Sequence, residues 1–461
     1  MEDLMNAIRP PAVAGMFYPG EAAALAREVD GYLAEANAGR PAPAFPKAIV
    51  VPHAGYIYSG AVAANAYALL KPARGIVTRV VLLGPCHRVA VRGLALPAAT
   101  AFDTPLGRVP VDAAAVGVLA ALPQVSVNAA THAQEHALEV QLPFLQSVLG
   151  EFSLVPLVVG AAGIDAVAEV LDTLWGGPET LIVISTDLSH YRRYGAAQEI
   201  DRRTVEGILA YDTALDHEQA CGATPLAGFL RTAQRRGLVG ELLDARNSGD
   251  TAGGRDRVVG YASFAFREPH AARFGDEHGR LLIAIARGAI AAALGRGEGA
   301  PAPDAPWLRE QRASFVTLTL NQRLRGCIGS LEAHRPLGED IAANARGAAL
   351  RDPRFPPLTA AELDRVDVEV SLLSAPALLA FGDHADLVAQ LRPGVDGLIL
   401  ACDGRRGTFL PQVWEQLPDA ESFLAHLKQK AGLPADTRTT RCTVWRYEVL
   451  KWREADLAVR H

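Results

Sequence analysis

The chain has 461 residues, 49% of them hydrophobic, and a formal net charge of −6. That length exceeds one ordinary core and predicts two domains. The mixed charge leaves no electrostatic footprint for nucleic acid, and no run of about 18 uncharged apolar residues is available to cross a bilayer. Acidic residues in Met1-Glu2-Asp3-Leu4 stand where a secretory signal needs basic ones, so cytoplasmic residence is expected. Five scattered cysteines, Cys86, Cys221, Cys327, Cys402 and Cys442, argue against a disulfide framework and form no Cys-x-x-Cys zinc pattern.

In chain order, Glu21 to Ala34 reads as a helix, followed by a strand at Ala48 to Val51. An Ala-rich helix at Gly60 to Leu70 leads to a strand at Val80 to Leu83. The strand Leu154 to Val159, a helix at Asp165 to Leu174 with Asp165 suited to its N-cap, and the strand Leu181 to Ile184 continue the alternation. This βαβ rhythm predicts an α/β first domain, over residues 1–268, with a mainly parallel sheet covered on both faces. Its final strand is Arg257 to Phe264.

A break at Arg267 to Gly275 separates a second domain, residues 276–461. It opens with a helix at Gly279 to Leu294 and a Gly, Ala and Pro rich loop at Gly295 to Pro306. Strands at Ser314 to Leu320, Val366 to Leu373 and Gly397 to Ala401, a helix at Ala420 to Ala431 and a strand at Cys442 to Leu450 give an α+β class.

Three of the first-domain strands run into histidine-bearing loops: Pro52-His53-Ala54-Gly55-Tyr56, Gly84-Pro85-Cys86-His87 and Ser185-Thr186-Asp187-Leu188-Ser189-His190. Loops leaving the carboxyl ends of α/β strands converge on one crevice, so the three histidines point to a metal or acid/base site. Two histidines and a carboxylate on one face hold non-haem Fe(II). His53 and His87 are the expected pair, and Asp250 in Asn247-Ser248-Gly249-Asp250-Thr251 is the expected third ligand. His190 is then free for proton transfer near neutral pH, with Asp187 to orient it. Fe(II) is the expected metal, with copper or zinc as alternatives, and the substrate is expected to be a small molecule.

The stretch His132-Ala133-Gln134-Glu135-His136 matches the inverted zinc-peptidase pattern, which makes peptidase chemistry a minor alternative. Thr131 and Gln134 suit a capping box, and Pro143 is expected to kink that helix. Glu135 and His136, with Tyr56, read more naturally as substrate contacts in the same crevice. In the second domain, Leu324-Arg325-Gly326-Cys327-Ile328-Gly329 sets a cysteine beside a cation that would lower its pKa and make it a nucleophile, with Arg325 toward substrate. The competing reading is a small buried residue in a Gly-bearing strand. Asp403-Gly404 reads as a hairpin turn.

Together with Ala14-Gly15-Met16-Phe17-Tyr18-Pro19, Glu135-His136-Ala137-Leu138-Glu139-Val140-Gln141-Leu142-Pro143 and Cys221-Gly222, the histidine motifs resemble the Memo family over about residues 8–266. The resemblance implies the fold of class III extradiol dioxygenases, in which two early histidines and a late Glu bind iron and a middle histidine is the acid/base. The order His53, His87, His190, Asp250 is similar to that arrangement. Animal Memo has a cysteine near the last ligand position, and this chain has none between Cys221 and Cys327. The later motifs, with Arg351-Asp352-Pro353-Arg354-Phe355, resemble the AMMECR family over about residues 276–455. Such a fusion is similar to the AmmeMemoRadiSam system, which implies a radical-SAM protein partner; this chain lacks the Cys-x-x-x-Cys-x-x-Cys motif of that component. The rival expectation is a non-enzymatic scaffold that binds a peptide or partner.

Overall fold

Aliphatic runs with no polar alternation need cover on both faces, and the largest sheet of the protein is built from them. In this computed structural model the described residues are 7–36, 45–297, 305–379 and 381–458. Met1 to Leu4 and the middle of the Gly295 to Pro306 segment lie outside them. The chain divides into two units, Met1–Pro269 and His270–His461.

The main sheet of the first unit comprises β1 (Ala48–Val51), β2 (Arg79–Pro85), β3 (Leu94–Leu96), β4 (Val125–Val127), β5 (Ser153–Val159), β6 (Thr180–Ser185), β7 (His190–Arg192), β8 (Val239–Asn247) and β9 (Val258–Arg267). Their order is β7-β9-β1-β6-β2-β5-β3-β4, with β8 also paired to β9. The centre, β1-β6-β2-β5, is parallel; β9 and β3 join it antiparallel, so the sheet is mixed. Alternate residues feed two separate cores: Ile49, Val51, Val80 and Leu82 on one face, Ala48, Val50, Val81 and Leu83 on the other. Full burial of each Val, Leu or Ile contributes about 1.5–3 kcal/mol.

The parallel register is what positions the site. Val51 stands beside Ser185, and Leu83 beside Ile184. The loops after β1, β6 and β2 therefore leave the sheet at one level, with β6 in the middle.

Several local expectations are corrected. The helix expected at Asp165 is Ile164–Thr173, capped by Gly163, and Asp165 lies in its first turn, where a carboxylate favours the N–H-rich end. The stretch around His132 is not one long helix. It is Ala129–Ala133, capped by the Asn128 side chain, and the chain then leaves the helix at Gln134. Pro143 kinks nothing; it opens the separate helix Leu142–Leu149, where its missing N–H costs no bond.

In the second unit, β10 (Ser314–Leu320), β11 (Arg323–Gly329), β12 (Val366–Leu373), β13 (Ala377–Leu378), β14 (Gly397–Cys402), β15 (Arg405–Phe409), β16 (Thr443–Tyr447) and β17 (Val449–Arg453) form two antiparallel sheets, β11-β10-β12-β17 and β13-β16-β14-β15. The helices Asp276–Ala293 and Leu337–Leu350 pack on the first, giving an α+β unit. The expected strand Cys442 to Leu450 is two strands broken at Glu448, because β16 pairs in one sheet and β17 in the other. Asp403 and Gly404, both at positive φ (50° and 75°), make the β14–β15 hairpin turn. No helix among the described residues is long and apolar enough to cross a membrane.

Candidate metal centre

His53, two residues past β1, is fully buried. Its backbone N–H donates to Asp187 Oδ1 at 2.7 Å, and its Nδ1 lies 2.8 Å from Ser185 Oγ. Ser185 has one hydroxyl proton, which it donates to the Ala137 carbonyl at 2.7 Å. Toward His53 it must therefore accept, so Nδ1 carries the imidazole proton and Nε2 presents its lone pair. Gln141, its oxygen engaged by the Tyr67 hydroxyl, donates to Ser185 Oγ and Pro52 O at 2.9 Å and fixes this chain of bonds.

His87, two residues past β2, is partly exposed. Its Nδ1 is 2.8 Å from Glu135 Oε1, and its backbone N–H donates to Glu135 Oε2 at 2.7 Å. A third N–H, from Ala137, reaches Glu135 Oε1 at 2.9 Å. Burial would raise the Glu135 carboxyl, but the His87 ring and these N–H groups outweigh it and hold the pKa at about 2. The carboxylate thus keeps the proton on His87 Nδ1 and frees Nε2, the arrangement that orients metal-bound histidines. Gly84 permits this approach: a Cβ there would meet Leu138 at 2.9 Å and Ala137 Cβ at 3.2 Å.

His136 completes the group. Its ring stacks on His87 at 4.8 Å between centroids, lies 5.6 Å from His53, and packs against Phe17 at 4.8 Å. Buried Nδ1 has no hydrogen-bond partner; Glu135 Oε1 is 3.5 Å away. One ligand atom from each of His53, His87 and His136 falls within 4.8 Å of the others. Burial and the neighbouring histidine charges push His53 down to about 3 and His136 to about 4, so both are neutral and ligand-competent at neutral pH.

The expected site residues separate. His53 and His87 come together; Asp250 does not join them. Asp250 is exposed in the short 3-10 turn Ser248–Asp250, where Oδ2 accepts the Asn247 N–H at 3.0 Å and Oδ1 accepts from Tyr194. Its turn-forming sequence serves the turn itself. His136 occupies the third place instead, although its sequence position suggested a substrate contact. His132, its partner in the peptidase pattern, is buried with Nε2 2.8 Å from Ala95 O, and the break at Gln134 separates the two rings.

His190 is half-buried and lies outside the three-histidine group. Its Nδ1 donates to Leu188 O at 2.8 Å, so Nε2 is free to accept or deliver a proton. The Leu188 carbonyl orients it, whereas Asp187, buried and raised in pKa mainly by desolvation, holds the His53 backbone. Tyr56 is no free substrate contact: it is buried and its hydroxyl donates to Val140 O at 2.6 Å. One neighbour was read in the sequence only as part of the Cys221-Gly222 motif and not as a site residue. Cys221 Sγ is 3.2 Å from His53 Nε2 and accepts the Asp187 N–H at 3.3 Å.

In the second unit, Cys327 lies on β11 with its sulfur accepting from Thr317 Oγ1 at 3.2 Å. Its N–H donates to Asp352 Oδ2 at 2.8 Å, and Arg354 reaches its carbonyl at 3.3 Å. Arg325 is committed elsewhere, to Glu362 at 3.0 Å and to the carbonyls of Pro356 and Pro357. Arg325 does not reach the Cys327 sulfur by these bonds, whereas the Arg354 guanidinium also interacts with the Cys327 side chain; together these contacts tie the 352–362 segment to the strand.

Both units are similar to known proteins. Residues 9–265 match the Memo-like protein family, and residues 283–452 match AMMECR1. A MEMO1 family protein of Methanopyrus kandleri is 36% identical over 283 residues, covering 56% of this chain and 99% of its own length. One from Aquifex aeolicus is 33% identical over 274 residues, covering 56% and 99%. A Methanothermobacter thermautotrophicus protein is 44% identical over 163 residues, covering 35% of this chain and 85% of its own. Among solved structures, an uncharacterized protein from Pyrococcus horikoshii, PH0010, is similar at 36% identity, with a TM-score of 0.35, covering 39% of this chain and 93% of that one. The chain belongs to the Memo family through its first unit and carries an AMMECR1 domain in its second.

Proposed function

We propose that the first unit is metal-dependent, with His53, His87 and His136 holding a transition-metal ion and performing redox or dioxygenase-like chemistry on a small molecule. The observation that carries this reading is the convergence of three imidazoles, two with protons pinned to Nδ1 by Ser185 and Glu135 and the third with an unpartnered ring nitrogen. Buried polar groups are normally satisfied, and the missing partner fits an ion. Three nitrogen donors suit iron, copper or zinc; the absence of Asp250 from the group removes the carboxylate that favoured Fe(II) in particular. A bound metal would supply Lewis acidity or electron transfer to substrate at its open positions. His190, oriented by Leu188 O, would take or give the substrate proton; the dioxygenase version of the chemistry, and work alongside a radical-SAM partner, rest on the family resemblance.

Metal analysis of protein purified without oxygen tests the proposal. A metal near one equivalent, lost in His53→Ala and His87→Ala, is the expected result; wild-type metal content in both variants refutes the ligand assignment. A scaffold reading has its own support. Met16, Ile57 and Tyr191 are apolar or aromatic, exposed, and borne on the segments that carry Phe17, His53 and His190. Peptide binding unaffected by a chelator would favour it.

A further inference from the structure

Cys402 and Cys442 of the second unit are not among the residues of the candidate metal centre. The β14–β16 pairing runs antiparallel through Ala401 opposite Thr443, and one step further that register sets Cys402 opposite Cys442. Directly opposed residues on antiparallel strands have Cα atoms about 4.5 or 5.5 Å apart, inside the window a disulfide needs. Both side chains are buried and share one core with Phe423, Leu424 and Leu427 of the helix Ala420–Lys430, so they lie on one face. The Cys442 N–H turns away to Thr439 O at 2.8 Å. The two thiols are close enough for the Cys402 thiol to influence the ionisation of Cys442.

We infer that Cys402 and Cys442 form an oxidisable dithiol whose reaction partner is a small hydroperoxide. The Cys442 thiolate attacks the hydroxyl oxygen of the peroxide, the O–O bond breaks, the other oxygen leaves as alkoxide (hydroxide when the peroxide is hydrogen peroxide) and Cys442 becomes a sulfenic acid. The Cys402 sulfur then displaces the hydroxyl, which leaves as water, and the S–S bond forms. Two thiols are oxidised by two electrons, and one peroxide is reduced. Cys442 is the better first nucleophile because it is slightly the more exposed and Lys428, itself buried, lies near enough to favour its thiolate. Burial is the larger influence and, with the Cys402 thiol, pushes Cys442 up to about 12. The reaction is therefore slow, and the pair is a target of sustained rather than brief oxidation. The Cys442 sulfur also donates to the Arg438 carbonyl at 3.8 Å, and the sulfurs of Cys86, Cys221 and Cys327 lie against a carbonyl, an imidazole and a hydroxyl.

The product would join the end of β14 to the start of β16, closing a loop that contains β15 and the helix Ala420–Lys430. Such a bond removes conformations from the unfolded chain and so stabilises the fold.

The test treats the full chain with hydrogen peroxide, alkylates the remaining thiols and maps peptides without reduction. The expected result is a cross-linked pair of peptides carrying Cys402 and Cys442, separated by dithiothreitol, together with a higher Tm of the oxidised protein. Cys402→Ser and Cys442→Ser should each abolish the cross-link and the Tm rise, while Cys327→Ser keeps both. Recovery of Cys402 and Cys442 as separately alkylated or separately oxidised residues, in wild-type protein whose exposed thiols have reacted, overturns the inference even if the serine variants fail to fold.

Discussion

Glu135→Gln separates metal positioning from metal ligation, because Glu135 touches His87 without being one of the three imidazoles. The wild-type carboxylate accepts three N–H groups: the ring and backbone of His87 and the backbone of Ala137. Gln has one acceptor oxygen. If that oxygen takes the Oε1 place, its amide NH₂ faces the His87 backbone N–H, leaving a donor unsatisfied at a cost of about 1–3 kcal/mol of fold stability. The His87 ring also loses a charge-assisted bond, and with it the bias that keeps its proton on Nδ1. Loss of such an orienting partner lowers metal affinity about 10- to 100-fold, or about 1.4–2.7 kcal/mol. The assay is competition for Zn(II) or Co(II) against a chromophoric chelator, at fixed pH, with circular dichroism to confirm the fold. A folded Glu135→Gln protein with an unchanged dissociation constant would refute the argument that Glu135 sets the His87 tautomer.

Three further outcomes are expected. His136→Ala should weaken metal binding as strongly as His87→Ala, whereas Asp250→Ala should leave it intact and cost only about 1 kcal/mol of stability through its lost cap; metal loss in Asp250→Ala alone would reverse the assignment. Metal-free protein should lose stability as pH falls from about 6.5 toward 4. Burial holds His53 at about 3 and His132 and His136 at about 4, so the unfolded chain binds more protons in that window; stability is full above the unfolded value and declines below it. A flat Tm across that range would count against neutral buried histidines. Residues 270–461, expressed alone, should melt cooperatively, since this unit holds its own cores; a non-cooperative melt would show that it needs the first unit.

Composition and local pattern determined much of this molecule. Aliphatic runs such as Ile49 to Val51 and Val80 to Leu83 need burial on both faces wherever they lie, so strand identity and the convergence of the His53 and His87 loops were legible without coordinates. The Asp403-Gly404 turn was legible too, because positive φ restricts which residues serve there. The third member of the histidine group was not. His136 enters only because the helix before it stops at Ala133 and the small Gly84 lets the 135–138 segment close on β2, which no spacing within the segment encodes. Asp250 had the right chemistry, but its carboxylate is used by the turn it builds. Cys221 and His53 are far apart in sequence yet 3.2 Å apart in space, and the Cys402–Cys442 opposition depends on the register of β14 and β16. Side-chain chemistry is local and can be read residue by residue. Which groups share a site is set by long-range strand pairing and by where a chain can approach another closely, and only the tertiary structure decides that.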